Sequence, residues 1–84
     1  PSSFYTASLF GDVSVLKMNG TTKFIYPYQF QLVPNSDIKV EVVQSYFKGS
    51  HFLVEGKFEN QAVFFESLNE LTCSEVVFLE VKRE

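Results

Sequence analysis

The stretch Ser45-Tyr46-Phe47-Lys48-Gly49-Ser50-His51-Phe52-Leu53-Val54-Glu55-Gly56 (SYFKGSHFLVEG) admits three readings: a ligand site, a phosphate loop, or two strands meeting at a corner. A Walker loop spaces its glycines more closely and follows its lysine with Ser or Thr. Here six residues separate Gly49 from Gly56, and Phe58 follows Lys57. No helix-start signal is present to offer a helix N-terminus to a phosphate. The corner reading fits every residue. Gly49 takes a left-handed or bulged conformation where the chain reverses, and Lys48 and His51 flank a solvent-exposed bend.

Strand periodicity extends from both sides of this corner. Upstream, Ile38, Val40 and Val42 alternate with Lys39 and Glu41, as in a strand with one buried face. Val43 breaks the alternation and implies a bulge or a strand covered on both sides. Downstream, Phe52, Val54, Gly56 and Phe58 share one face, opposite Leu53, Glu55, Lys57 and Glu59. Glu59-Asn60 reads as a short turn into a strand over 61–66, and a last strand covers Val76 to Val81. Near the start, segments 13–17 and 22–26 flank Asn19-Gly20, a pair suited to a type I′ hairpin turn. The best helical candidate, 67–73, is too short to carry a domain. Turn signals at Gly11, Gly20, Pro27 and Gly49, among others, recur at the spacing of a small all-β domain. The expected fold is all-β, a small OB-like barrel of about six to eight short antiparallel strands.

Composition narrows the function classes. The 84 residues make one domain, and 45% hydrophobic with 17% aromatic content supplies a compact core. The net charge of −3 argues against nucleic acid, whose binders carry a basic face. Cys73 is the single cysteine, so no intrachain disulfide can form and a reducing, cytoplasmic setting is expected. No apolar run approaches the length of a membrane helix, so direct membrane insertion is not expected. The chain starts at Pro1 rather than Met and is read as a C-terminal piece of a longer protein.

Candidate chemistry is sparse. Zinc sites need a cluster of Cys, His or carboxylate ligands, and His51 stands without one in the sequence. Cys73 and His51 form a nucleophile–base pair only if the fold brings them together. The plainer reading is an exposed turn histidine and a small, half-buried cysteine. Asn19-Gly20-Thr21 matches the glycosylation pattern, which a cytoplasmic chain does not use. Tyr26, Tyr28 and Phe30 surround Pro27 without the basic residues that a single-strand-binding groove requires. No cofactor or metal site is expected in the chain itself.

Four ordered segments resemble the C-terminal TOBE (transport-associated OB-like) domain of ABC-importer ATP-binding subunits, the iron(III) and spermidine/putrescine importers in particular. Ala7-Ser8-Leu9-Phe10-Gly11-Asp12-Val13 is similar to that family's opening strand after the ATPase domain. Phe24-Ile25-Tyr26-Pro27-Tyr28-Gln29-Phe30-Gln31-Leu32 resembles its proline-centred segment, with Tyr26 and Tyr28 where the family has Arg and Glu. Segment 40–54 resembles its pair of strands joined at a glycine corner. Segment 71–81 resembles its closing strand, with Ser74 in place of a turn glycine, so that turn is expected to be built differently.

The resemblance implies a single non-catalytic regulatory and dimer-stabilising domain over 1–84, attached to an ATPase domain that holds ATP and magnesium. It implies a homodimer, contact with permease subunits through that ATPase domain, and a place at the inner face of the cell membrane. The alternatives are a free-standing OB-like module binding a small anion or oligomer and, third, a small hydrolase using Cys73 and His51. Fourteen Phe and Tyr side chains exceed what a small barrel encloses. Tyr5, Phe10, Tyr26, Tyr28 and Phe47 are therefore the expected interface aromatics, with exchange of an end strand as one route to a dimer.

Overall fold

The computed structural model describes residues 13–82. Tyr5, Phe10 and Gly11 lie outside the described residues. Within them the fold is nearly all-β, with 63% strand and 4% helix, as expected. β1 (Ser14–Met18) and β2 (Thr21–Ile25) form a hairpin whose turn residues Asn19 and Gly20 have φ of 53° and 76°. Positive φ at both positions is the geometry of a type I′ turn, and it matches the twist of the two strands. A single 3₁₀ turn, Pro27–Gln29, leads into β3 (Phe30–Val33). Pro27 is buried there, and the Gln29 side chain accepts the Tyr26 amide at 2.8 Å.

β4 (Ile38–Phe47), β5 (Phe52–Phe58) and β6 (Gln61–Ser67) follow as a meander, and β7 (Val76–Val81) returns to pair with β4. The two sheets have strand orders β1-β2 and β3-β7-β4-β5-β6, with every pairing antiparallel. The corner between β4 and β5 is the one read from the sequence. Phe47 pairs with Phe52, the Lys48 amide donates to the His51 carbonyl at 2.8 Å, and Gly49 has φ 98°. Glu59 and Asn60 turn the chain from β5 to β6 with φ of 48° and 65°. Segment 67–73 is not helical. β3 escaped the periodicity because it is short, lies between two prolines and alternates weakly.

The core-facing positions of β4 follow the expected alternation up to Val42, and then the register shifts between Val42 and Gln44. This is the bulge at Val43, which leaves its side chain at the surface. The extra residue exchanges the two faces of the strand. Before it, Val42 lies opposite Gly56; after it, Ser45 lies opposite Val54. Ser45 then faces inward, donates to the Leu71 carbonyl at 2.7 Å and accepts the Leu71 amide at 3.1 Å. The loop before β7 is thereby tied across the sheet. Ser74, where the resemblance led to an altered turn, has φ 75° without being glycine, and its amide donates to the Val42 carbonyl at 2.8 Å.

Leu16, Val40, Val42, Val54, Val63, Phe65 and Leu79 are fully buried, with Phe30, Ile25, Ile38 and Phe58 packed around them. Gly56 sits at the centre of this core for a reason that its local backbone does not disclose. A Cβ there would collide with Val40 Cγ1 and lie 3.2 Å from the Glu41 carbonyl oxygen. Gly56 is thus a close-approach residue between β4, β5 and β6.

No closed barrel forms among the described residues. Where a barrel would carry a continuous ladder, side chains join the two sheets. The buried Ser14 hydroxyl accepts the Phe64 amide of β6 at 2.8 Å. The Gln61 carboxamide accepts the Lys17 amide at 2.7 Å and donates to the Lys17 carbonyl at 3.3 Å.

Two substitutions test this account in urea denaturation. Gly56→Ala is expected to destabilise the chain by about 1–3 kcal/mol through overpacking against Val40. Ser14→Ala leaves the Phe64 amide without its acceptor at a buried junction, so a loss of about 1–3 kcal/mol is expected. Unchanged midpoints for either variant would contradict the packing or the junction described above.

Candidate functional site

The residues singled out in the sequence do not converge on one place. His51 ends the β4–β5 corner, with its side chain about one-third exposed and Nε2 3.6 Å from the Glu66 carboxylate on β6. Its Nδ1 lies 2.9 Å from the Ser50 hydroxyl. Hydroxyl, imidazole and carboxylate thus follow one another in the outline of a relay. The three groups do not form a continuous hydrogen-bonded chain. The His51–Glu66 separation exceeds hydrogen-bond range, and Ser50 is an exposed corner residue outside the groove that His51 and Glu66 line. The contacts instead brace the corner against β6.

Cys73 is exposed rather than half-buried. It sits in the turn before β7, with Sγ 3.8 Å from the Ser74 hydroxyl. That turn is closed by Glu75, whose carboxylate accepts the Thr72 amide at 3.1 Å and whose own amide donates to the Thr72 carbonyl at 3.1 Å. The turn must project outward for Ser74 and Glu75 to bond back to Val42, and Cys73 projects with it. No described contact joins Cys73 to His51. Among the described residues no group of three or more His, Cys, Asp or Glu is placed to hold a metal ion.

A concavity among the described residues lies between β3 and the far end of β6, a groove of about 500 Å³. Phe30 and Leu32 form one wall, Glu66, Leu68 and His51 the other, and Lys82 stands at its rim. It is shallow and mixed in character, unlike the enclosed, mainly apolar pockets that hold small ligands.

Aromatic exposure is the stronger surface feature. Tyr26 and Tyr28 stack with ring centroids 5.7 Å apart and planes 12° from parallel, and both are exposed, Tyr28 by 57%. Phe24, on the preceding strand, is 63% exposed. Phe47 is 69% exposed and leans on Phe52 with centroids 5.3 Å apart. Three expected interface aromatics, Tyr26, Tyr28 and Phe47, are thus at the surface. Phe24 and Leu68 were not anticipated. For Phe24 the signal was available: it alternates with Ile25, the one inward residue of β2.

No family model matches this chain, and no curated protein or solved structure does either. No helix among the described residues is long and apolar enough to cross a membrane.

The bracing role of His51 predicts a small effect on removal. His51→Ala and Cys73→Ala are each expected to change unfolding free energy by less than about 1 kcal/mol, since an exposed ion pair contributes little. Guanidinium titration followed by circular dichroism measures this, and a loss several times larger would mean that the corner depends on His51 or the turn on Cys73.

Proposed function

We propose that this chain is a non-catalytic accessory module that acts by packing against protein surfaces. Its form is the C-terminal regulatory and dimer-stabilising domain of an ABC-importer ATP-binding subunit, of iron(III) or spermidine/putrescine type. The observation that carries the module reading is the aromatic ribbon Phe24–Tyr26–Tyr28. It lies on β2 and the turn after it, beside a strand that pairs only with β1 among the described residues.

Rings of this kind supply large, rigid contact area, and clustered exposed aromatics mark interaction surfaces. The absence of a basic face in the composition directs such a surface towards protein rather than nucleic acid. A second copy is the simplest partner, because a two-fold contact presents the same patch on both sides. In this reading the module holds two ATPase subunits together while their nucleotide domains open and close, and the chain itself binds neither ATP nor magnesium. The importer assignment rests on the four ordered segments that resemble the family, the module reading on the surface.

Sedimentation equilibrium tests the dimer. Self-association is expected below about 100 μM, on the order of −5 to −6 kcal/mol. The double substitution Phe24→Ser with Tyr28→Ser should weaken it at least about tenfold, or 1.4 kcal/mol, without changing the circular dichroism spectrum. Monomer throughout the range would remove the self-association. A parent reading frame without an ATPase domain upstream would remove the importer assignment and leave the module reading standing.

A further inference from the structure

The turn between β1 and β2 holds Asn19 and Gly20, the one Asn-Gly pair in the chain. Both residues are exposed, and both have positive φ. The ladder closes on Met18 and Thr21, so the Asn19 carboxamide and the Gly20 amide lie outside it. No hydrogen bond joins either group to another described residue. Nothing lies within 4 Å of the place where a Gly20 Cβ would stand. An unpartnered carboxamide thus precedes an unpartnered, unshielded backbone nitrogen.

We propose that Asn19 is a site of spontaneous modification, where the turn converts its own asparagine into aspartate and isoaspartate. The Gly20 nitrogen attacks Asn19 Cγ and forms a bond to it. The bond from Cγ to the carboxamide nitrogen breaks, and that nitrogen leaves as ammonia, taking up the proton that Gly20 gives to solvent. A five-membered succinimide remains. Water then opens the ring at either carbonyl. Opening at Cγ leaves aspartate, and opening at the backbone carbonyl leaves isoaspartate. Water enters and ammonia departs, with no oxidant or reductant involved.

Ring closure requires Asn19 to leave its turn conformation. Only the Met18–Thr21 pair has to part for that, because Lys17, the next residue back, is anchored to Gln61. An exposed ribbon end opens at a small part of the cost of global unfolding. Gly20 then adopts the new backbone angles without a side-chain penalty. The product changes the ribbon in two ways. Isoaspartate routes the backbone through Cγ, and the lengthened turn no longer matches the two-residue geometry that joins β1 to β2. Either product also places a carboxylate in segment 13–36, which carries Lys17 and Lys23 and no Asp or Glu. The inference does not depend on the importer assignment or on the dimer.

The chain carries its own controls. Asn35, Asn60 and Asn69 are exposed as well, and Asn60 has φ 65° in the turn from β5 to β6, but Ser36, Gln61 and Glu70 follow them. The full chain is aged in mildly alkaline buffer and digested, and its peptides are weighed and separated by chromatography. The Asn19 peptide is expected to gain the mass of an amide-to-acid conversion at least tenfold faster than the peptides of the other three asparagines. It should also split into two isomers of equal mass. Equal rates at the four positions, or no conversion at Asn19, overturn the proposal. Gly20→Ala is expected to slow the reaction at Asn19 at least tenfold. Alanine at φ 76° loosens the turn, which by itself would speed the reaction, so slowing reports the lost access to the nitrogen. An unchanged or faster rate in this variant overturns the proposal. Conversion in urea but not in buffer overturns it too, because the folded turn would then shield Asn19.

Discussion

The two sheets of this protein meet where the Ser14 hydroxyl accepts the Phe64 amide, and the rest of the architecture follows from that junction. A backbone ladder between β1 and β6 would bring the two strands to ordinary sheet spacing. A serine side chain inserted as acceptor, helped by the Gln61 carboxamide on Lys17, holds them together and prevents closer approach. Buried amides must be paired, and a side-chain acceptor satisfies one as well as a carbonyl does. The β1–β2 ribbon therefore stays attached to the larger sheet without merging into it. Its outer strand carries Phe24 to the surface, and the turn that follows carries Tyr26 and Tyr28.

Serine plays the same part elsewhere. Ser36 accepts the Ile38 amide and donates to the Leu79 carbonyl, joining the start of β4 to β7. Ser45 ties Leu71 to β4, and Ser67 closes the bend after β6. In each case a short side chain does the work of a backbone group at a place where regular pairing stops. A small domain made of short strands has many such ends. Pairing them locally, rather than leaving them to solvent or to a neighbouring chain, restricts the open edges available for unwanted strand addition.

Among the described residues, the groups with chemical potential stand apart from one another. His51 and Glu66 face each other across the corner, Cys73 stands apart on an outward turn, and the groove between β3 and β6 is open. The aromatic ribbon and the groove are separate features with separate consequences. One is a set of exposed rings on β2 and the turn after it; the other is a shallow groove between β3 and β6. Both arise because the strands curl around one core without completing a closed ladder.

The local signals were legible in the sequence. Asn19-Gly20, Gly49 and Glu59-Asn60 reverse the chain where their residue types led one to expect, and Ile38–Phe47 and Val76–Val81 are strands at the bounds that their periodicity set. The Val43 irregularity announced its bulge, because one extra residue in a period-two pattern is visible in one dimension. Other features depend on residues distant in sequence and leave no such mark. Gly56 read as one residue on the same strand face as Phe52, Val54 and Phe58, and only the approach of Val40 explains why it lacks a side chain. Ser14 and Gln61 look like ordinary strand residues until β1 and β6 lie side by side. Cys73 turned out exposed because Ser74 and Glu75 bond back to Val42, a contact that no local pattern contains. Turn geometry and strand period are properties of consecutive residues, and the sequence by itself determines them. Sheet closure, close approach and the exposure of Leu68 are properties of pairs brought together by folding, and the tertiary structure alone decides them.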